Sequence, residues 1–249
     1  MSNFQAETFD SQALARRNGK RPGRLLGLAL PQLCALCRAP AGTHLLCHAC
    51  AAALPSLGPA CARCALPWTQ ACCPACRRRP PPWRRAHAAW RYAFPVDRLL
   101  QGLKYGGELA LARPLGEGLA NALLDAGAER PDRLVPMPLA AARARARGFN
   151  QSRLIAAVLA RALRVPLHDA LARMRETPPQ AGLSLAARVT NVANAFHADA
   201  RVAGRHLAIV DDVMTTGATL AAATQSALQA GARRVDVWVC ARTPPPDDR

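Results

Sequence analysis

Two acidic side chains, Asp211 and Asp212, close an apolar run that begins at Leu207, and beyond Val213 and Met214 stand Thr215, Thr216, Gly217, Ala218 and Thr219. The apolar run over 207–210 reads as a buried strand, and the pattern after the threonines as a helix over 217–230 stopped by Gly231. A turn from strand into helix leaves backbone N–H groups unpaired at the helix N-terminus, and these, with the helix dipole, attract an anion. Gly217 lets the backbone approach a phosphate closely, and the threonine hydroxyls add donors. The two carboxylates lie one step upstream, placed to accept hydrogen bonds from vicinal hydroxyls such as those of a ribose. An ordinary capped turn accounts for one threonine, but not for two adjacent acids followed by TTGAT. A Walker loop is excluded, because no Gly-Lys-Ser/Thr triplet occurs.

A second chemistry lies upstream, in the pattern Cys34-x2-Cys37-x9-Cys47-x2-Cys50-x10-Cys61-x2-Cys64-x8-Cys73-x2-Cys76. A C-x2-C turn brings two thiolates onto one metal, and two such turns complete a tetrahedron. Eight ligands therefore imply two structural Zn2+ ions. Sequential pairing puts Cys34, Cys37, Cys47 and Cys50 on one ion, and Cys61, Cys64, Cys73 and Cys76 on the other. Interleaved pairing stays open on spacing alone, Cys72 competes with Cys73, which only the C-x2-C register favours, and His44 and His48 are alternative ligand candidates. Disulfides and a redox dithiol are the competing readings; repeated C-x2-C favours metal. Cys240 ends an apolar run and reads as a small buried hydrophobe.

These groups need elements to hold them. Residues 133–138 (RLVPMP) read as a short strand, Gln151–Leu163 as a helix with Asn150 as N-cap, and 235–239 as a further strand. Strand, turn, helix and strand make a βαβ unit, hence a parallel sheet. Between the first strand and the helix, Arg143, Arg145 and Arg147 alternate before Gly148; read as a loop, they form a fork for phosphate oxygens. Lys104, one of two lysines in a chain with 31 arginines, is a further cation candidate. The segment 77–85, RRRPPPWRR, reads as a stiff hinge.

The string LAIVDDVMTTGATL resembles the phosphoribosyl pyrophosphate motif of type I phosphoribosyltransferases. With LKYGGELALARPLG, LVPMPL, RARGFNQS, the 180–194 segment containing Arg188 and Asn191, and the cysteine-paired N-terminus, all in order, residues 30 to 242 resemble the ComF family (ComFC- and GntX-like proteins). That resemblance implies a double zinc ribbon joined to a phosphoribosyltransferase-like α/β domain, a parallel sheet flanked by helices. Expected boundaries are a disordered basic leader over 1–30, the ribbon over 31–78, a Pro/Arg linker over 79–92 and the phosphoribosyltransferase-like domain over 93–243. It implies phosphoribosyl pyrophosphate with Mg2+ as ligand, held by Asp211, Asp212 and Thr215, Thr216, Gly217, Ala218 and Thr219. Lys104, Arg145 and Arg147 would lie on the pyrophosphate side, and residues 173–188 would form a mobile hood. It further implies a role in DNA uptake or competence through single-stranded DNA. A nucleic-acid-binding ribbon protein with a non-catalytic ligand-sensing domain is the alternative.

Composition is consistent with these readings. The formal charge is +17, of which residues 1–92 carry +11. That suits a polyanion such as single-stranded DNA, with Trp68, Trp83 and Trp90 offering stacking surface; a GC-rich coding bias explains the same arginines. Arg16, Arg17, Lys20, Arg21 and Arg24 before a short apolar run imitate a signal peptide, but Pro31 cuts the run to six residues. No membrane span is expected, and the cysteines favour the cytoplasm.

Overall fold

The computed structural model describes residues 32–174 and 195–244. The expected leader, the terminal tail and all of the 173–188 hood except Arg173 and Met174 lie outside the described residues. Strands β1 (Ala86–Arg91), β2 (Arg133–Pro136), β5 (His206–Met214) and β6 (Arg234–Arg242) form one parallel sheet in the order β1-β6-β5-β2. A two-stranded antiparallel ribbon, β3 (Leu171–Arg173) with β4 (Phe196–Ala198), stands apart from it. The central strands β5 and β6 are almost wholly buried, as expected when helices cover both faces of a parallel sheet.

One face is covered by α3 (Val96–Tyr105), α4 (Ala112–Asp125) and α6 (Gln151–Leu163), whose Leu100, Leu103, Leu115, Leu119, Ile155 and Leu159 share a core with Trp238. The other face takes the alanine-rich α7 (Ala218–Gln229) and Phe196 of β4. The α6 helix spans the residues its sequence period indicates, and its Asn150 cap accepts from the Arg153 amide at 3.2 Å. Cys240 is fully buried within β6.

Three expectations change. Strand β5 continues four residues past 210, so the acid pair lies inside the strand rather than at its end. The segment 141–147 is a helix, α5 (Ala141–Arg147), closed by Gly148 at φ 71°, not a loop. Residues 86–91 of the expected linker are the edge strand of the sheet, because their backbone finds its hydrogen-bond partners along β6.

The cysteine-rich segment is a tandem repeat. An offset of 27 relates Cys34 to Cys61, Cys37 to Cys64 and the bridge Leu33–Pro40 to the bridge Ala60–Pro67. Arg38 and Ala65, each following a second cysteine, both adopt positive φ, at 63° and 53°. Each repeat ends in a one-turn helix, α1 (His48–Ala52) or α2 (Pro74–Arg78). Trp83 and Trp90 are buried, at 3% and 8% exposure, and of the three tryptophans expected to stack on bases only Trp68 is exposed. Trp90 packs over Gly118, where a Cβ would sit 2.4 Å from its ring.

Candidate functional site

Ligands of open parallel sheets bind beyond the carboxyl ends of the strands. There a cavity of about 200 Å3 is walled by Lys104, Arg143, Arg147, Asp211, Asp212 and residues 215–219. The side-chain alternation of β5 changes phase across the acid pair. Ala208 and Val210 join the core beneath α3 and α6, whereas Leu207 and Ile209 join the opposite core; after the pair, Val213 and Met214 have exchanged sides. Both carboxylates consequently reach the same helical layer. Asp211 accepts from the Ser152 hydroxyl at 2.8 Å, and Asp212, 5% exposed, pairs with the Lys104 ammonium.

Burial and the adjacent Asp212 carboxylate push the Asp211 carboxyl up to about 8, with the Ser152 hydroxyl pulling the other way. Burial favours the neutral amine of Lys104, but the Asp212 carboxylate outweighs it and the net shift is upward. Asp212 is thus engaged by the Lys104 ammonium, whereas burial and that neighbouring carboxylate hold the Asp211 carboxyl well above the ordinary carboxylate range.

The loop after β5 leads into α7 through Gly217, at φ 81°, a left-handed conformation that glycine adopts without strain. Thr215, Thr216, Ala218 and Thr219 are exposed while Gly217 is buried against the Trp83 ring, 3.0 Å from where a Cβ would lie. Thr216 Oγ1 accepts from the Ala218 amide at 3.3 Å.

On α5 the helical period decides which arginines reach the cavity. Arg143 and Arg147, four apart, line it; Arg145, two residues from each, does not. The alternating fork read for a loop is therefore replaced by an i, i+4 pair. Arg147 donates to Gln151 Oε1 at 3.0 Å, and its guanidinium stacks 4.8 Å from the centre of the exposed Tyr105 ring. Arg143 belonged to the arginine fork but not to the expected pyrophosphate-side set, and its place follows once 141–147 is taken as helix; Ser152, which stands just after Gln151 on the first turn of α6, was not among the expected site residues. Trp83 beneath the loop had no sequence signal.

The cysteines gather as two sequential tetrads, Cys34/Cys37/Cys47/Cys50 and Cys61/Cys64/Cys73/Cys76, each with all ligand atoms within 4.8 Å of one another. This selects sequential over interleaved pairing and Cys73 over Cys72; neither His44 nor His48 joins a tetrad. No described cysteine forms a disulfide. Burial would push the Cys34 thiol up, but the Cys37, Cys47 and Leu36 amides draw it down to about 6. Cys50, through its hydrogen bond to Cys37 and through burial, is pushed up to about 12. Cys61 is likewise drawn down to about 6 against burial, with the Cys73 amide donating to its sulfur at 3.3 Å. Four thiols this close cannot all ionise by themselves; a dication at the centre removes that conflict, so both donor sets fit Zn2+.

The phosphoribosyl transferase domain family matches residues 150–245. Over 225 residues the chain is 39% identical to the DNA utilization protein YhgH of Escherichia coli (strain K12), covering 87% of this chain and 99% of that protein. It is 32% identical over 178 residues to Competence protein F of Haemophilus influenzae, covering 68% of this chain and 78% of that protein. A purine phosphoribosyltransferase from Pyrococcus horikoshii superposes over 51% of this chain and 70% of its own at 18% identity and TM-score 0.33, too distant to argue from. A parallel sheet with an acid pair and a threonine–glycine loop at its carboxyl edge, preceded by two cysteine tetrads and matched along most of the length of these relatives, makes this chain a member of the ComF family.

Proposed function

We propose that the cavity binds phosphoribosyl pyrophosphate. The observation that carries this reading is the convergence, at the carboxyl ends of the strands, of an acid pair, an exposed threonine loop at a helix N-terminus and two guanidinium groups. In this reading the loop amides and hydroxyls of residues 215–219 hold the 5′-phosphate. Asp211 and Asp212 accept from the ribose hydroxyls, and Arg143 and Arg147 face the pyrophosphate. In a transfer at C1 the bond from C1 to the pyrophosphate oxygen breaks, its electron pair leaves with the pyrophosphate, and the acceptor forms the new bond and gives up its proton. Positioned cations stabilise that leaving-group charge. An oxygen-rich donor set suits Mg2+, and positive charge brought beside Asp211 and Asp212 would favour the Asp211 carboxylate against the burial that pushes it up. When bound, the ion would neutralise pyrophosphate charge.

Titration calorimetry with phosphoribosyl pyrophosphate and Mg2+ tests the reading, followed by a product assay with a panel of bases. Asp211→Asn with Asp212→Asn should weaken binding roughly 10²-fold or more, since charge-assisted hydrogen bonds are worth ~1.5–3 kcal/mol each and ~1.4 kcal/mol is a decade. Unchanged affinity would place the ribose elsewhere; binding without product would make the domain a ligand sensor.

A second activity is single-stranded DNA handling in DNA uptake. Its support is the row of exposed Arg77, Arg78, Arg79, Arg84 and Arg85 between the cysteine repeats and the sheet, together with the names of the relatives. Among the described residues no helix is long and apolar enough to cross a membrane, and repeated C-x2-C pairs read as metal ligands suit the reducing cytoplasm.

A further inference from the structure

Two side chains tie the ligand loop to the second cysteine tetrad. Arg242, at the end of β6 and only 7% exposed, donates from Nε to the Cys64 carbonyl at 2.8 Å. From Nη1 it donates to the Met214 carbonyl at 2.9 Å, to the Thr215 carbonyl, and to the Thr243 carbonyl at 2.7 Å. Among the described residues no carboxylate pairs with it. One planar guanidinium thus spans from the Cys61–Cys64 turn to the first residues of the ligand loop. The second strut is Trp83, whose indole N–H donates to the Arg63 carbonyl at 2.5 Å while its ring lies against Gly217. Arg63 and Cys64 both belong to the Cys61–Cys64 turn that presents two thiolates to one metal.

A guanidinium has donors in a rigid fork, so its acceptors must keep a fixed relative placement to be satisfied together. A buried donor or acceptor left unpaired costs more than an ordinary hydrogen bond returns. Any shift of the Cys61–Cys64 turn therefore either drags the carbonyls of Met214 and Thr215 with it or breaks their bonds. A tetrad of four thiolates round Zn2+ also carries two net negative charges, close to a buried cation that has no other anionic partner among the described residues.

We propose that Arg242, assisted by Trp83, is a positioning residue that couples the metal state of the second tetrad to the order of residues 215–219. Loading of that tetrad holds the loop in its anion-binding form, and by linkage a bound phosphate ligand tightens the second metal site and leaves the first alone. The ligand half of this coupling rests on the reading of the cavity as a phosphoribosyl pyrophosphate site; the structural half does not.

The test uses the full-length protein with both tetrads loaded with zinc, and reads amide hydrogen exchange of residues 215–219 alongside calorimetry with phosphoribosyl pyrophosphate and Mg2+. Arg242→Met should keep two zinc ions, raise exchange in the loop about tenfold and weaken the ligand about tenfold. Arg242→Lys, with a single donor head, should restore part of both. Cys61→Ser with Cys64→Ser should loosen the loop as much, and adding Arg242→Met to it should change little more, because both act through one connection. Cys34→Ser with Cys37→Ser should leave the loop as it was. Unaltered loop exchange in zinc-replete Arg242→Met, or fully additive effects with the cysteine variant, overturns the coupling. If Arg242→Met does not fold by circular dichroism, Trp83→Phe, which keeps a ring and loses the indole N–H, carries the same test with a smaller expected rise. If the ligand binds no form of the protein, the reading of the cavity falls while the exchange data still decide the coupling.

Discussion

The two cysteine repeats are near copies in backbone and ligand spacing, yet they are placed on different parts of the molecule. The first packs Cys34, Ala41 and Leu46 into the core shared with α3, α4 and α6. The second sends Ala65 into the opposite core beside Trp83, and the carbonyls of Cys64 and Arg63 accept from Arg242 and Trp83 beside the threonine–glycine loop. Their ends differ too. Cys50 of the first is followed by Ala51, Ala52 and Ala53, whereas Cys76 of the second is followed by Arg77, Arg78 and Arg79. Duplicated local structure supplies a knob built on a cysteine tetrad; what the knob does is set by what it touches. In the first that is apolar packing, and in the second it is the threonine–glycine loop and a basic surface.

The largest expected effect tests what the repeats share. Purified protein should hold two zinc ions, and strong chelation should unfold residues 32–78, since structural zinc contributes ~10–16 kcal/mol to small modules. Metal analysis and limited proteolysis check this, and one zinc or none in a reduced preparation breaks the pairing of repeats with ions.

A smaller effect separates the acid pair that lies beyond either repeat. Asp212→Asn strands the Lys104 ammonium in a mostly buried site and should destabilise the fold by roughly 3 kcal/mol, the low end for a broken buried pair. Asp211→Asn should do the reverse at high pH. The folded Asp211 carboxyl titrates near 8 against an ordinary 3.8. Its protonated form therefore favours folding fully below pH ~3.8 and loses that advantage as pH rises through about 8. Melting temperatures at pH 5 and 9 should show Asp211→Asn gaining more on the parent at the higher pH. An equal difference at both would mean Asp211 is already ionised.

The smallest effect sharpens the contrast between the repeat ends. Neutralising Arg77, Arg78, Arg79, Arg84 and Arg85 should weaken single-stranded DNA binding and flatten its salt dependence, by roughly 0.7 in log–log slope for each phosphate that is no longer neutralised. Neutralising Arg38, on the first repeat, should do neither. Filter binding across a salt series reads both, and identical slopes for parent and five-site variant would leave the row without a DNA role.

Much of this was legible in the sequence because it is local. The α6 helix with its Asn150 cap follows from period and capping, and the acid pair with its threonine–glycine loop from strand-to-turn-to-helix order. The four C-x2-C pairs of the tetrads follow from spacing, with Cys72 left as a rival to Cys73. Each depends on residues within a turn or two of one another, where backbone geometry fixes the outcome. Tertiary structure decided the rest. It chose sequential over interleaved tetrads and made β1 out of an apparent linker, since an edge strand exists only when β6 is beside it. It turned Arg143 and Arg147 to the cavity and Arg145 away. It committed Lys104 to Asp212 and buried two tryptophans that composition offered to DNA. Above all it brought Arg242 within hydrogen-bond reach of Cys64, 178 residues away along the chain. Such proximities depend on how packed layers align, and no spacing along the chain encodes that alignment.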